Sequence, residues 1–278
     1  LFSVPRIFNK IYDRLNKRIA NEKPLKKALM LAAFANASRR RELAADGQRS
    51  GWVEWKHGLF DKLVFSKIRM LLGGRLRYAF SGGAAISTEV AEFIDNAGIT
   101  VYEGYGLSET SPIATCNYPD NQRIGSVGKA IPGVKILIDT SAVGGEMGDQ
   151  GEIVVVGPNV MKGYHNLPEQ TADVMRPDGG FRTGDLGRVD NDGFLYITGR
   201  IKEQYKLENG KYVVPAPLEE QLKLSGYISQ AMIFGANKVY NVGIIVPDGE
   251  SAAEWAKAHG VAGGMAEIVK NAEFQALI

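Results

Sequence analysis

Between Leu76 and Tyr102 the chain reads strand, helix, strand within thirty residues. Leu76–Phe80 supplies the first strand, Ser81-Gly82-Gly83-Ala84 a turn, and Ile99–Tyr102 the second strand. Ser87 stands where it caps a helix running through Ala97, and Gly98 stands where it stops one. Two strands joined by a helical crossover lie parallel in one sheet. This unit commits the middle of the chain to an α/β architecture.

The segment before it is helical and basic. Ser3 is a candidate cap and Pro5 opens a helix, with Ile7, Phe8, Ile11, Tyr12, Leu15 and Ile19 on one face. Pro24 restarts a second helix, carrying Leu25, Leu29 and Met30, that runs into Arg39-Arg40-Arg41. Trp52–Leu72 again has a helical pattern. Residues 1–77 hold 18 Lys/Arg against 6 Asp/Glu, a balance of +12, and the remaining 15 against 25 give −10, which restores the net +2. A basic half suits phosphate, nucleic acid or an anionic membrane; a solvated helical surface is the plainer alternative. The apolar run Ala28–Ala35 is far below the ~20 residues a spanning helix needs.

Beyond Tyr102 strands shorten and turns crowd in. Of 33 glycines, 23 fall between residues 73 and 210, so this stretch needs many tight turns or close backbone approaches. Lys135–Ile138, Glu152–Val156 and Phe194–Ile197 read as strands, with turn signals at Gly144-Gly145, Gly148 and Asp192-Gly193. The expected form is antiparallel or barrel-like. A third region opens with the charged, linker-like run Arg200, Lys202, Glu203, Lys206. A helix over Pro217–Leu224 and strands over Gln230–Phe234 and Val242–Val246 then predict a small α+β domain. The single cysteine, Cys116, excludes a disulfide framework, and His57, His165 and His259 lie too far apart in sequence to suggest a metal cluster. No signal-peptide pattern follows Leu1, and the expected location is cytoplasmic, with peripheral contact at the inner membrane surface.

Several common sites are missing. There is no Walker-type phosphate loop and no His-Glu-x-x-His. Gly106-Leu-Ser108-Glu-Thr110 lacks the last glycine of a nucleophile elbow. Gly104-Tyr-Gly106-Leu-Ser-Glu109 has Glu where a dinucleotide fingerprint needs its third glycine. The segment Tyr102–Thr110 does follow a strand, and open α/β sheets bind ligands beyond the carboxyl ends of strands. Its two glycines admit close backbone approach, Tyr105 offers a flat face for a base, Ser108 a hydroxyl, and Glu109 a hard oxygen for Mg²⁺. A purely structural turn fits the same residues. In Phe181-Arg-Thr-Gly-Asp185 the carboxylate is suited to accept both hydroxyls of a ribose, or else to make an Asx turn. Asp190-Asn-Asp192-Gly193 fails the calcium-loop spacing and reads as a hairpin turn. Gly199-Arg-Ile-Lys-Glu-Gln-Tyr-Lys206 offers cations for phosphates or developing negative charge, or a solvated strand.

Taken in order, Ser-Gly-Gly-Ala (81–84), Tyr-Gly-Leu-Ser-Glu (105–109), Gly-Glu-Ile (151–153) with Gly-Tyr (163–164), Phe-Arg-Thr-Gly-Asp (181–185) and Gly-Arg-Ile-Lys-Glu (199–203) resemble the adenylate-forming superfamily. The opening Ser-Val-Pro-Arg-Ile-Phe-Asn-Lys-Ile-Tyr (3–12), with the basic helical segment, resembles its long-chain fatty-acyl-CoA synthetase branch. The resemblance implies the parallel-sheet portion of a large adenylating domain over 1–199, and a hinge with a partial small domain over 200–278. It implies ATP and Mg²⁺, a fatty acid made into an acyl-adenylate, and transfer to coenzyme A. By motif, Gly82, Gly83 and Ala84 would line the acyl and adenine pocket, Tyr105 and Gly106 would meet adenine, Ser108 would contact phosphate or carboxylate oxygen, and Glu109 would hold Mg²⁺. Asp185 would grip the ribose, Arg200 would assist there, Lys202 would sit at the hinge, and Lys206 would approach the phosphate region.

Two departures temper this. The superfamily's Ser/Thr/Gly-rich phosphate loop and its C-terminal catalytic lysine have no match here. With Leu1 in place of methionine, these predict an internal segment that is itself inactive in adenylation, from an active parent. Two alternatives remain: an adenylating enzyme that passes its acyl group to a carrier-protein thiol, and a non-catalytic nucleotide-binding or membrane-surface module. No nucleic-acid partner is expected.

Overall fold

The structure is a computed structural model that describes residues 1–143 and 148–278; the expected turn at Gly144-Gly145 lies outside the described residues. By contact density the chain divides into one unit of residues 1–137, 154–182 and 189–197, and a second of 138–153, 183–188 and 198–278.

The first unit is built on parallel strands. β1 (Phe2–Ser3) pairs with β2 (Tyr78–Ser81), and β2 pairs in parallel with β3 (Thr100–Tyr105), Phe80 opposite Tyr102. Between β2 and β3 lies α5 (Thr88–Asn96), so the strand–helix–strand expectation holds. Ser87 occupies the N-cap without a side-chain hydrogen bond, and Gly98 ends the helix at φ +84°. The sheet continues through β4 (Thr115–Cys116) and β5 (Lys129–Ala130), both antiparallel.

The predicted helices are present as α1 (Pro5–Ala20), α2 (Pro24–Ala45), α3 (Gly51–Phe60) and α4 (Ser66–Leu71). A π-helical turn, Asp61–Phe65, joins α3 to α4 without a break. The expected cap at Ser3 is replaced by strand pairing, and Val4 takes the N-cap. Leu15, Ile19, Met30, Ala33, Ala37, Val64, Phe65 and Ile68 form one buried cluster, with Ile11 and Phe34 packed on it. Phe34 stacks on Phe93 of α5 at 4.4 Å between centroids and meets Phe65 edge-on at 5.3 Å. The basic segment is therefore tied to the sheet by its own apolar core. Arg69 strengthens that tie, donating to both carboxylate oxygens of Asp61 at 2.7 and 2.9 Å and to Ala97 O at 3.1 Å. This pairing holds the Asp61 carboxyl below its ordinary range, the Arg69 hydrogen bonds being the main cause.

One prediction follows from that corner. A Cβ at Gly98 would lie 2.7 Å from Arg69 Nη1, on a backbone at φ +84°. Gly98→Ala should destabilise the chain by about 1–2 kcal/mol through left-handed strain. Urea denaturation measures it, and an unchanged midpoint would refute it.

The middle expectation is met by open sheets. β6 (Lys135–Asp139), β7 (Gly151–Val156), β8 (Phe181–Val189) and β9 (Leu195–Arg200) form a four-stranded sheet, and no closed barrel forms among the described residues. Asp190–Phe194 makes the expected hairpin turn: Gly193 N donates to Asp190 O at 3.0 Å, with Gly193 at φ +85°. A short helix, α6 (Pro168–Val174), precedes β8.

In the second unit, a 3₁₀ turn over Ile201–Glu203 follows β9. β10 (Tyr205–Lys206) then pairs with β11 (Tyr212–Val213), so the linker-like run is ordered structure. α7 (Pro215–Leu222) begins two residues before the expected start, since Pro215 already fits a first helical turn. β12 (Ile228–Phe234) and β13 (Val242–Pro247) form an antiparallel pair against which α7 packs. The chain ends in α8 (Gly249–Ala258), α9 (Met265–Ile268) and α10 (Ala272–Leu277). These close over Ala252, Trp255, Ala256, Ile268 and Phe274, and Asp248 caps α8 by accepting from Ser251 N at 3.0 Å.

Candidate functional site

In the first unit the motif residues gather at the carboxyl ends of β2 and β3. β2 ends at Ser81, and Gly82, Gly83 and Ala84 form the following turn, with Gly83 at φ +83°. A Cβ at Gly82 or Gly83 would meet nothing within 4 Å, so the backbone there is open to approach. β3 runs on through Gly104 and Tyr105. Gly106 is a steric necessity, because a Cβ there would lie 2.0 Å from the carbonyl oxygen of Pro112.

The next turn is fastened on two sides. Leu107 N donates to Thr110 Oγ1 at 2.9 Å, and the Thr110 hydroxyl donates to Leu107 O at 3.0 Å. Asn159 Nδ2 donates to Thr110 O at 3.1 Å and to Ile113 O at 2.8 Å. Met161 N donates to Glu109 O at 2.8 Å, and the Tyr164 hydroxyl donates to Glu109 Oε1 at 2.9 Å. Burial, then the neighbouring Glu109 carboxylate, pushes the Tyr164 hydroxyl up from its ordinary pKa. Glu109 is thus aimed by a tyrosine fifty-five residues further on. Ser108 is exposed on the same turn, and Tyr105 is half-buried.

Glu103 lies one residue before the Gly104-Tyr105-Gly106 stretch and is 5 % exposed. Ile86 N donates to its Oε2 at 3.4 Å. Burial pushes its carboxyl up to about 7, against the opposing pull of the Ile86 and Gly125 amides. Sequence reasoning passed over Glu103, Asn159 and Tyr164. Only Tyr164 carried a signal, as part of Gly163-Tyr164, and that motif gave it no role.

In the second unit the structure joins Asp185 to Arg200. Asp185 lies within β8 and is 6 % exposed. Gly184, at φ +71°, bends the strand, so Asp185 follows a kink in β8 and not a free loop. Asp185 N donates to Thr183 Oγ1 at 3.1 Å, whose hydroxyl donates to Ile153 O at 2.8 Å. Gly184 N donates to Glu152 Oε1 at 3.1 Å. Arg200 Nε donates to Asp185 Oδ1 at 2.9 Å, from a side chain that is 58 % exposed. Lys202 is exposed on the 3₁₀ turn after Arg200. Lys206, exposed on β10, has Nζ 4.7 Å from the Tyr212 ring centroid.

Chemically, the first group offers small-residue backbone, an aromatic face, a hydroxyl and one oriented carboxylate. The second offers a buried carboxylate held by Arg200, with Lys202 and Lys206 exposed further along the chain. A lone hard carboxylate is the share a protein gives to Mg²⁺ when phosphates and water supply most ligands. Glu109 fits that role. Separately, a cleft of about 450 Å³ between α2, α3 and α5 is lined by Arg40, Arg41, His57 and Asp95, and none of the residues singled out from the motifs lines it.

Comparison with known proteins gives the following. The AMP-binding enzyme family matches residues 1–165, and the AMP-binding enzyme C-terminal domain matches 202–276. A long-chain-fatty-acid–CoA ligase, FadD15 of Mycobacterium bovis, is 40% identical over 253 residues, covering 91% of this chain and 40% of that protein. Long-chain-fatty-acid–CoA ligase 1 of Cavia porcellus is 34% identical over 99% of this chain and 38% of its own length. Among solved structures, O-succinylbenzoate coenzyme A synthetase of Bacillus subtilis, with ATP and magnesium, is 26% identical with a TM-score of 0.55 over 69% of this chain and 43% of that one. The adenylation domain of a Mycobacterium chelonae carboxylate reductase shares the fold at TM-score 0.64 and 21% identity, covering 98% of this chain and 39% of that one. The chain spans about 40% of the length of the curated relatives it matches.

Proposed function

Because the chain belongs to the AMP-binding enzyme family, in its long-chain fatty-acyl-CoA ligase branch, we propose that the protein carrying it activates a long-chain fatty acid with ATP and passes the acyl group to coenzyme A. A carboxylate oxygen of the fatty acid attacks the α-phosphorus of ATP, and the bond to pyrophosphate breaks. The coenzyme A thiolate then attacks the acyl carbonyl, forming the thioester and releasing AMP.

The catalytic work on this reading is positioning and charge neutralisation. Tyr105 stacks on adenine while Gly82, Gly83, Ala84 and Gly106 let it and the acyl chain approach the backbone. Ser108 donates to a phosphate or carboxylate oxygen. Glu109, aimed by Tyr164, holds Mg²⁺, which when bound offsets phosphate charge. Asp185 accepts the ribose hydroxyls, and Arg200 fixes its carboxylate. Lys202 marks the hinge between a large portion, 1–199, and a small domain, 200–278, and Lys206 serves the phosphates.

The observation that carries this reading is the buried Asp185 carboxylate, oriented by Arg200 and preceded by the Gly184 bend. The test uses the complete product of the reading frame that contains these residues. It should exchange pyrophosphate into ATP when given a long-chain fatty acid, and form the thioester when coenzyme A is added. No fatty-acid-dependent exchange would overturn the reading. Exchange with transfer only to a carrier-protein thiol would replace coenzyme A as acceptor.

A further inference from the structure

The continuous helical stretch 51–71 is apolar on two opposite sides. Val64, Phe65 and Ile68 are buried in the helical core, with Phe60 packed on it. The other side carries Trp52, Trp55, Leu59 and Leu63, at spacings of three, four and four residues, which put them on one helical stripe, and Met70 is exposed beyond the π-helical turn. Trp52 is 62% exposed, Trp55 61%, and Met70 71%. The two indoles stack on each other, centroids 5.1 Å apart and planes within 9°. A surface helix normally turns charge to water on its second side, and large exposed apolar patches mark interaction surfaces.

The border of the stripe is cationic. Lys56 Nζ sits 4.7 Å from the Trp52 centroid, and Lys62 and Lys67 are exposed further along. Glu54 is held by Arg40 Nε at 2.9 Å, and Asp61 by Arg69. The stripe also lies in the segment whose charge balance is +12. Tryptophans and leucines edged by lysines are the composition of a helix that lies in a bilayer interface. Among the described residues no helix is long and apolar enough to cross a membrane, so such a helix would rest on the surface.

We propose that the Trp52–Trp55–Leu59–Leu63 stripe is a membrane-docking face that seats this unit on an anionic lipid bilayer. The indoles enter the headgroup boundary, and Lys56, Lys62 and Lys67 meet lipid phosphates. This depends on the helix and its charges, and not on the catalytic reading.

The test is co-sedimentation of the full chain with phosphatidylcholine vesicles, with and without phosphatidylglycerol, read beside tryptophan emission. Trp255 is 7% exposed, so a blue shift on binding reports on Trp52 and Trp55. The chain should bind the anionic vesicles with a blue shift and lose binding as salt rises. Each near-surface cation is worth roughly fivefold in affinity, so Lys56→Gln with Lys62→Gln should weaken binding about 25-fold. Trp52→Gln with Trp55→Gln should abolish the shift and release the protein, with its circular dichroism unchanged. Undiminished binding by the tryptophan variant, or no vesicle binding by the parent chain, would overturn the proposal. So would tryptophans already shielded from acrylamide without vesicles, whether by self-association or by another part of the complete protein.

Discussion

Asp185→Ala in the complete protein should lower fatty-acid-dependent pyrophosphate exchange by about a hundred- to ten-thousand-fold, mainly by raising KM for ATP. Two hydrogen bonds from ribose hydroxyls to a charged acceptor are worth about 3–6 kcal/mol together, and each 1.4 kcal/mol is tenfold. The Asp185 side chain is 8 % exposed, so water supplies little substitute. Asp185→Asn keeps an acceptor but loses the charge and should fall between the two. Arg200→Ala leaves the carboxylate in place and removes one donor that orients it, Arg200 Nε to Oδ1. Its loss should be the smaller one. Circular dichroism separates these effects from misfolding. An Asp185→Ala protein with unchanged dependence on ATP would remove the ribose assignment.

What could be read from the sequence depended on whether the signal was local. The unit from β2 to β3 was legible because alternating apolar runs, a candidate cap and Gly98 all lie within thirty residues. β1 was not, since a two-residue strand has no periodicity and exists only through pairing with β2, seventy-eight positions away. Trp52–Leu72 was legible as helix, but its second apolar stripe became visible only once Val64, Phe65 and Ile68 were seen to fill the core. Glu109 and Asp185 were found from local motifs, whereas Tyr164 and Arg200 act on them across fifty-five and fifteen residues. Arg200 had been assigned to the ribose, and its contact with the Asp185 carboxylate emerged from the fold. Gly106 was read as room for a ligand. The structure adds a stronger reason, the Pro112 carbonyl against which no side chain fits.

Glu103→Gln should flatten part of the pH dependence of stability. The Glu103 carboxyl is pushed up to about 7 by burial, from an ordinary 4.5. Below pH 4.5 it is protonated in both folded and unfolded chains and carries no penalty. Between 4.5 and 7 the unfolded chain ionises and the folded chain resists, so stability falls as pH rises through this window. By pH 8 the cumulative loss is about 3 kcal/mol, at 1.36 kcal/mol per pKa unit. Glutamine keeps an acceptor for the Ile86 and Gly125 amides but has no proton to lose. The variant should therefore match the parent chain near pH 4.5 and exceed it near pH 8. Urea midpoints at the two pH values measure the difference, which isolates Glu103 from every carboxylate that both proteins share. Parallel curves would show that Glu103 ionises in the folded chain as freely as in the unfolded one. The position matters for the proposed function as well, since Glu103 precedes Gly104 and Tyr105 and accepts from Ile86 N, two residues beyond the Gly82–Ala84 turn. Charge there would stand beside the two backbone segments proposed to meet the adenine and acyl groups. In the complete protein, any alkaline rise in KM for ATP should accordingly be smaller in Glu103→Gln than in the parent.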